Sequence, residues 1–168
     1  MNEVIEPLLK SLTDLLREKK LIITTAESCT GGLIASLLTE LPGSSAWFDR
    51  GFVTYSNEAK QELLGVNPVV LAQYGAVSLQ TAEAMAAGAL THSHAHVALA
   101  VTGIAGPDGG TQAKPVGTVC FAFAERGGLM QSRSCLYSPS SRSQIRFLSC
   151  VEALHGMIFL LNQAYPQT

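Results

Sequence analysis

The sequence predicts an α/β domain of three layers, an α/β/α sandwich in which helices cover both faces of a mixed, mostly parallel sheet. Over most of the 168 residues, short apolar segments rich in β-branched residues alternate with longer segments of helical periodicity. Later in the chain, two strand-like segments are joined at Arg126-Gly127-Gly128, which is a hairpin signal. The hairpin adds one antiparallel strand to a sheet that is otherwise parallel. We therefore expect a single domain over residues 1–168.

The first third of the chain predicts two helices and two strands. Apolar residues three or four positions apart identify the helices, and the apolar, β-branched run over 21–25 is typical of a strand buried on both faces. Pro42-Gly43 ends the second helix. Trp47 follows, as an aromatic plug in the core or as the rim of a site for a flat ligand. In order, the expected elements are a helix over 5–16, a strand over 21–25, a helix over 33–41 and a strand over 51–56.

The rest of the chain continues the alternation and ends in a long helix. Ser56 or Asn57 caps one short helix, Gly65 ends it, and Ser78 caps a longer helix. A glycine- and proline-rich loop over 103–117 interrupts the pattern, and loops of this length are usually functional or disordered. In order, the expected elements are helices over 57–64, 68–74 and 79–90, strands over 96–102, 117–124 and 129–137, and a helix over 141–164.

Composition and charge argue against several classes of protein. The formal net charge is −2 and no run of lysine and arginine occurs, so nucleic acid is not an expected partner. No apolar stretch approaches the roughly 20 residues of a membrane span. Residues 1–20 are charged and amphipathic, unlike a signal peptide, so we expect a cytoplasmic protein without membrane contact. With 47% hydrophobic and only 14% charged residues, it is expected to bury further surface in a homo-oligomer.

Neither the cysteines nor the histidines predict a metal centre. The cysteines lack the paired spacing of a zinc site and are interpreted as reduced thiols. Three histidines alternate as ligands on a strand do, but no carboxylate is near them in the sequence, so we expect no metal. The cysteines are Cys29, Cys120, Cys135 and Cys150, and the histidines are His92, His94 and His96.

The polar segment 26–30 lies between the first strand and the second helix, where open α/β sheets bind ligands. The helix start supplies free N–H groups and a partial positive charge, and Gly31-Gly32 lets a ligand approach the backbone. The Ser28 hydroxyl there suits nucleophilic attack, with the N–H groups holding the resulting oxyanion. We expect Thr30 and Gly31 to contact the substrate. The alternative is that Ser28 or Thr30 only caps the helix.

Lys60 and Tyr55 belong to a second polar cluster at a strand end. Lys60 falls near the start of a short helix, where a positive charge opposes the helix dipole, so the neutral amine is favoured. A neutral amine near Ser28 can take the hydroxyl proton, which makes the two a candidate Ser–Lys pair. Tyr55 can orient the amine or relay the proton. The alternative for Lys60 is an exposed helix lysine.

Two further segments are candidates for binding a ligand. The loop over 102–110 offers many backbone N–H groups for an anion or a ligand ring, and it lacks the ending of a Walker loop. Arg142 and Arg146 lie four residues apart near the start of the last helix, where they form a phosphate clamp or are two solvated arginines.

Four segments in order resemble the CinA C-terminal domain family: TTAESCTGG, GFVTYSNEAKQELLGV, GAVS and VTGIAGPDGGTQAKPVGTV. The resemblance covers about residues 5–163. Its stand-alone members are nicotinamide-nucleotide amidases, so it implies a five-stranded sheet and a small-molecule substrate, nicotinamide mononucleotide. The implied products are nicotinate mononucleotide and ammonia, with no metal or cofactor.

The resemblance also implies roles for individual residues. The family's serine nucleophile matches Ser28, and its tyrosine and lysine match Tyr55 and Lys60. The remaining matches are Thr102 and Gly103 for its ligand contacts, and Arg142 and Arg146 for its arginines.

The chain departs from the family before the last helix. Members carry a Gly-Asp-Arg stretch, whereas this chain has Ser138-Pro139-Ser140-Ser141-Arg142. This difference leaves open a paralogue that binds a pyridine nucleotide with little or no turnover. A separate alternative is an amidase for another small amide.

Overall fold

The computed structural model describes residues 3–138 and 140–166, so Pro139 in the departing segment lies outside the described residues. Five strands and six α-helices alternate in the described part much as the sequence predicts. In chain order they are α1 (Ile5–Glu18), β1 (Ile23–Glu27), α2 (Leu33–Leu38), β2 (Phe48–Val53), α3 (Asn57–Leu64), α4 (Pro68–Tyr74), α5 (Leu79–Thr91), β3 (Val97–Gly103), β4 (Thr118–Glu125), β5 (Met130–Leu136) and α6 (Arg142–Ala164).

The boundaries of β1 and β2 differ from the expectation at both ends, and β2 begins at Phe48 instead of residue 51. β1 begins two residues later than expected, because the Leu21 N–H donates to the carbonyl oxygen of Leu16 and still belongs to the turn after α1. It also extends through Glu27. β2 ends at Val53 instead of Ser56, because Ser56 caps α3 by accepting the N–H of Ala59.

The five strands form one sheet in the order β2-β1-β3-β4-β5. β1 is parallel to both of its neighbours, and β4 runs antiparallel to β3 and β5. This arrangement confirms the mixed, mostly parallel sheet with one antiparallel strand. The chain moves from β1 to one side for β2 and to the other side for β3, so a crevice opens above the carboxyl end of β1.

Helices cover both faces of the sheet and complete the predicted three layers. On one face, α6 contacts β3 and β4, α2 contacts β1 and β2, and α1 packs on α6. These helices share a core with bulky strand side chains such as Leu99, Phe121 and Phe123. α5 packs against the opposite face, which is lined by alanines such as Ala98 and Ala122. Because alanine side chains are short, α5 lies close to the sheet.

Gly88 on α5 sets the position of α3. A Cβ atom at Gly88 would overlap the carbonyl oxygen of Leu64, the last residue of α3. The two helices are therefore in backbone contact, and this contact holds the helix that carries Lys60.

Of the two alternatives for Trp47, a plug in the core or the rim of a ligand site, the structure shows the plug. Its ring is fully buried, and its indole N–H donates to the carbonyl oxygen of Leu38 at 2.8 Å. It therefore joins the end of α2 to the strand that follows.

α6 begins at the expected place, with a capping box in which Ser141 and Gln144 bond each other's backbone N–H groups. The expectation that no stretch approaches a membrane span is wrong for α6. By length and composition alone, α6 could cross a membrane, and it is the one such helix in the described part. Half of its most apolar window is buried inside the fold, as in the core helix of a soluble protein.

Candidate active site

Ser28 and Lys60 meet at the carboxyl end of β1. Ser28 follows the strand directly, and its N–H donates to the carbonyl oxygen of Val101, which fixes it to β3. The Lys60 Nζ atom lies 3.3 Å from the Ser28 Oγ atom and 2.9 Å from the carbonyl oxygen of Thr54. Lys60 is 1% exposed and Ser28 is 7% exposed. The geometry brings together the two residues that the sequence paired as a candidate.

Burial favours the neutral amine of Lys60. Desolvation lowers the pKa of this amine below its ordinary value, because a charge is costly away from water. A Cys29 thiolate would oppose this shift, but burial raises the pKa of the Cys29 thiol to about 11, so the thiol stays protonated near neutral pH. Among the described residues, no carboxylate forms an ion pair with Lys60. A neutral amine beside a hydroxyl can accept the hydroxyl proton.

Glu27 occupies the start of α2, which the sequence had assigned to the oxyanion. Its carboxylate is 1% exposed and accepts the N–H groups of Ile34 and Ala35, each at 2.9 Å. The expectation that the first-turn amides of α2 are free to hold an oxyanion is therefore wrong for these two amides. Sequence analysis missed this contact because it placed Glu27 in the turn rather than in the strand.

The loop between β1 and α2 retains unused donors. The N–H of Gly31 donates to the carbonyl oxygen of Ser28, and the N–H of Leu33 donates to that of Thr30. In the described hydrogen-bond network, the N–H groups of Thr30 and Gly32 have no acceptor. The Thr30 hydroxyl oxygen is also buried without a partner. These groups are candidates for holding a negative oxygen.

Arg146 holds this loop from the side of α6. Its Nε atom donates to the carbonyl oxygen of Cys29 at 3.2 Å, and its Nη2 atom donates to that of Thr30 at 3.1 Å. The guanidinium is half-buried and is used to fix the backbone next to Ser28.

Arg142 and Tyr55 lie at the mouth of the crevice. The Arg142 guanidinium donates to the carbonyl oxygen of Gly106 at 2.8 Å and to the Tyr55 hydroxyl at 3.0 Å. Tyr55 is 60% exposed. The hydrogen bonds of the Lys60 amine go to Ser28 and Thr54, so in this structure the partner of Tyr55 is Arg142 rather than Lys60.

Thr102 and Gly103 end β3 beside the same loop. The Thr102 hydroxyl is buried and donates to the carbonyl oxygen of Ala76 at 2.7 Å. A Cβ atom at Gly103 would lie 3.1 Å from the Cys29 Sγ atom and 2.9 Å from the Val119 side chain. Glycine at this position therefore allows β3 to approach the Ser28 loop closely.

The three histidines singled out in the sequence lie away from Ser28, and the rings of two of them contact backbone groups. The backbone N–H of the third, His94, donates to the Asp49 carboxylate. The Nδ1 atom of His96 accepts the N–H of Ile22, and that of His92 contacts the carbonyl oxygen of Gly88. Within residues 3–138 and 140–166, no group of three or more histidine, cysteine or acidic residues is arranged to hold a metal ion.

Comparison with known proteins places this geometry in a family. The model of the CinA C-terminal domain matches residues 5–161. A protein of Enterobacter agglomerans named nicotinamide-nucleotide amidohydrolase PncC is 54% identical over 139 residues, which are 83% of this chain and 84% of that protein. The protein of the same name from Escherichia coli K12 is 55% identical over 121 residues, 71% of this chain and 73% of that protein.

Longer relatives and solved structures also match. A putative competence-damage inducible protein of Symbiobacterium thermophilum is 60% identical over 122 residues, which are 73% of this chain but 29% of that protein. The crystal structure of the competence/damage inducible protein CihA from Agrobacterium tumefaciens has a TM-score of 0.91 at 49% identity, covering 96% of this chain and 98% of that one. The competence damage-inducible protein A of Klebsiella pneumoniae has a TM-score of 0.90 at 34% identity, covering 99% and 100%.

Proposed function

The chain belongs to the CinA C-terminal domain family, and from that membership we propose that it is an amidohydrolase acting on nicotinamide mononucleotide. The reaction yields nicotinate mononucleotide and ammonia, in keeping with the names of relatives at 54% and 55% identity. The observation that carries the proposal is the buried Ser28 hydroxyl 3.3 Å from the Lys60 amine. In this proposal residues 1–168 form a single amidase domain that works in the cytoplasm without a cofactor.

The proposed chemistry is nucleophilic catalysis by a serine with a lysine base. The Lys60 amine takes the proton of Ser28 as the Ser28 oxygen attacks the carboxamide carbon, and the N–H groups of Thr30 and Gly32 hold the oxyanion. The Lys60 ammonium gives its proton to the amide nitrogen, the C–N bond breaks, and the nitrogen leaves as ammonia. Lys60 then takes a proton from a water molecule as the water oxygen attacks the acyl carbon, and it returns this proton to the Ser28 oxygen as the ester bond breaks and the acid is released. The cationic pyridinium ring withdraws electrons from the carbonyl group and so assists both attacks.

We assign the substrate-binding roles to residues whose present hydrogen bonds the substrate can replace. Arg142 is the proposed 5′-phosphate ligand, because it lies at the mouth of the crevice and an anion can replace its two neutral acceptors. Arg146 has a second claim to the phosphate, although its present partners are loop carbonyl oxygens. Thr30, Gly31, Thr102 and Gly103 line the ring and ribose in this proposal, and Tyr55 assists Lys60 when the substrate draws Arg142 away.

The test is ammonia release from nicotinamide mononucleotide by the wild type, Ser28→Ala and Ser45→Ala. We expect kcat to fall on the order of 10³-fold or more in Ser28→Ala, since the nucleophile is lost. Ser45 is exposed and lies just before the amino end of β2, whereas the candidate site lies at the carboxyl ends of the strands, so Ser45→Ala should keep wild-type kcat. Equal rates in wild type and Ser28→Ala would remove Ser28 from the mechanism.

A second candidate function is binding of a pyridine nucleotide without turnover. The observation that favours it is the Ser138–Arg142 segment, which replaces the Gly-Asp-Arg stretch and leads directly into α6. Calorimetric binding of nicotinamide mononucleotide without ammonia release would support this candidate. Ammonia release from a different small amide only would instead support an amidase of another specificity.

A further inference from the structure

Glu27 is a buried carboxylate that lies one residue before the candidate nucleophile. We propose that Glu27 is a positioning residue, whose carboxylate fixes the first turn of α2 and thereby the loop amides next to Ser28. This inference rests on the proposed function, since it concerns the same reaction. It assigns a role to a side chain that does not touch the substrate.

The need for such a contact comes from the way α2 begins. Its N-cap residue is Gly32, at φ +96°, which has no side chain to accept an amide hydrogen bond. The carboxylate of Glu27 reaches across the loop and accepts the N–H groups of Ile34 and Ala35 instead. Charge-assisted bonds of this kind offset the cost of burying a carboxylate that forms no ion pair among the described residues.

The loop is then fixed at both ends. At its start, the N–H of Ser28 is bound to the carbonyl oxygen of Val101. At its end, Glu27 holds the first turn of α2. Only the residues from Cys29 to Leu33 lie between these anchors, so a shift of α2 would be transmitted directly to the peptide groups beside Ser28.

Peptide geometry links this support to the oxyanion donors. The carbonyl group of Cys29 and the N–H of Thr30 belong to one planar trans peptide, so they point in opposite directions. Because the Cys29 carbonyl faces Arg146, the N–H of Thr30 points away from Arg146. Arg146 and Glu27 therefore restrain the same loop at different points, and loosening α2 would turn the donor without removing it.

The contacts of Glu27 favour a positioning role over a role in proton transfer. Both carboxylate oxygens are occupied by backbone N–H groups of α2, whereas the amine of Lys60 is the group bonded to the Ser28 hydroxyl. A positioning role therefore lowers kcat without moving the pH at which the rate is half-maximal. A role in proton transfer would move that pH.

The experiment measures kcat, KM and the pH profile of ammonia release for the wild type, Glu27→Gln and Glu83→Gln. Glutamine keeps one acceptor but presents an NH₂ group to the second amide, so we expect kcat to fall at least tenfold while KM changes less than threefold. The pH midpoint should stay at its wild-type position. Glu83 is a half-buried glutamate that accepts the Ser132 hydroxyl hydrogen on the other face of the sheet, so Glu83→Gln should match the wild type in both constants.

Three results would overturn the proposal: wild-type kcat in Glu27→Gln, an equal effect in Glu83→Gln, or a displaced pH midpoint. If Glu27→Gln does not fold, Glu27→Asp serves instead, because it keeps the charge but is one methylene too short to reach both amides. Wild-type kcat in Glu27→Asp, or failure of both variants to fold, would assign Glu27 to stability alone and overturn the proposal.

Labelling of Ser28 with a fluorophosphonate distinguishes failure of this inference from failure of the proposed function. Wild-type protein that is labelled at Ser28 but releases no ammonia would contradict the proposed function only. A labelling rate of Glu27→Gln at least tenfold below the wild type would then support positioning, and an unchanged rate would overturn it. Absence of both labelling and ammonia release would contradict both proposals.

Discussion

The pKa of the Lys60 amine is lowered by burial in the protein interior and not by a charged neighbour. The hydrogen bonds of its amine go to a hydroxyl and a carbonyl oxygen, and burial lowers its pKa. The unfolded chain therefore binds more protons than the folded chain between the lowered pKa and the ordinary value near 10.4. In that window the free energy of unfolding rises with pH, as does the fraction of neutral amine available to Ser28.

Replacing Lys60 separates these two effects. In Lys60→Met we expect kcat to fall about 10²- to 10⁴-fold, because the general base is lost. The rise in unfolding free energy with pH should also disappear. Ammonia release and urea unfolding at several pH values test both, with Lys10→Met as the control, because Lys10 is an exposed lysine on α1. A wild-type pH slope in Lys60→Met would show that another group causes it.

Arg142 is the residue at which phosphate recognition can be tested. In Arg142→Met we expect KM for nicotinamide mononucleotide to rise about tenfold, equivalent to about 1.4 kcal/mol, with little change in kcat. Nicotinamide riboside, which lacks the phosphate, serves as the control substrate, and its kcat/KM should not change. An equal fall in kcat/KM for both substrates would show that Arg142 supports the structure of the crevice and does not bind the phosphate.

At the residue scale, sequence reasoning succeeded where a simple rule applied. The rule that ligands bind at the carboxyl ends of parallel strands brought Ser28 and Lys60 together before any geometry was known. It could not find Glu27, because the bonds of that side chain depend on the last strand residue facing the turn of α2. The link between Tyr55 and Arg142 joins residues 87 positions apart and has no local signal.

The placement of α3 depends on a neighbouring helix. α5 and α3 are in backbone contact at Gly88, and any side chain there would meet the carbonyl group of Leu64. Lys60 lies on α3, so the distance between its amine and Ser28 depends on the packing of two helices beside the sheet.

Enlarging residue 88 should therefore affect both stability and activity. In Gly88→Ala we expect a loss of about 1–3 kcal/mol in unfolding free energy from overpacking, and a fall in kcat as α3 moves away. Thermal unfolding and ammonia release measure the two effects. Ala87→Ser, on the exposed side of the same turn, should change neither by much. Normal activity in a destabilised Gly88→Ala would show that α3 keeps its place.

At the scale of elements, the predicted order of helices and strands is confirmed. The errors lie at strand ends and at the end of α2, which stops at Leu38 instead of residue 41. Capping signals such as Ser56 and Ser78 predicted the starts of helices well, because they act through bonds within three residues. Strand ends depend on partners from distant segments, such as the pairing of Glu27 with Val53 and Val101. That information is not local, so the sequence placed β1 and β2 two or three residues away from their observed positions.

The whole molecule leaves several large apolar side chains in contact with solvent. Val53, Val69, Leu136 and Phe159 are all exposed and lie on different elements. Apolar side chains scattered singly are common on protein surfaces, so the prediction of a homo-oligomer rests on the low share of charged residues.

We expect the protein in solution to have a mass of at least twice the 17.8 kDa of one chain. Light scattering coupled to gel filtration at micromolar concentration measures this mass, and dilution shows whether association is reversible. A mass of one chain across the concentration range would contradict the prediction.

The Lys60 amine donates a hydrogen bond to a main-chain acceptor, the carbonyl oxygen of Thr54. Every amino acid carries that carbonyl oxygen, so an alanine or valine at position 54 would still offer it. Alanine scanning would therefore show little effect at position 54, although its carbonyl oxygen still binds the Lys60 amine. Only an edit to the main chain, such as an insertion between β2 and α3, could withdraw this support.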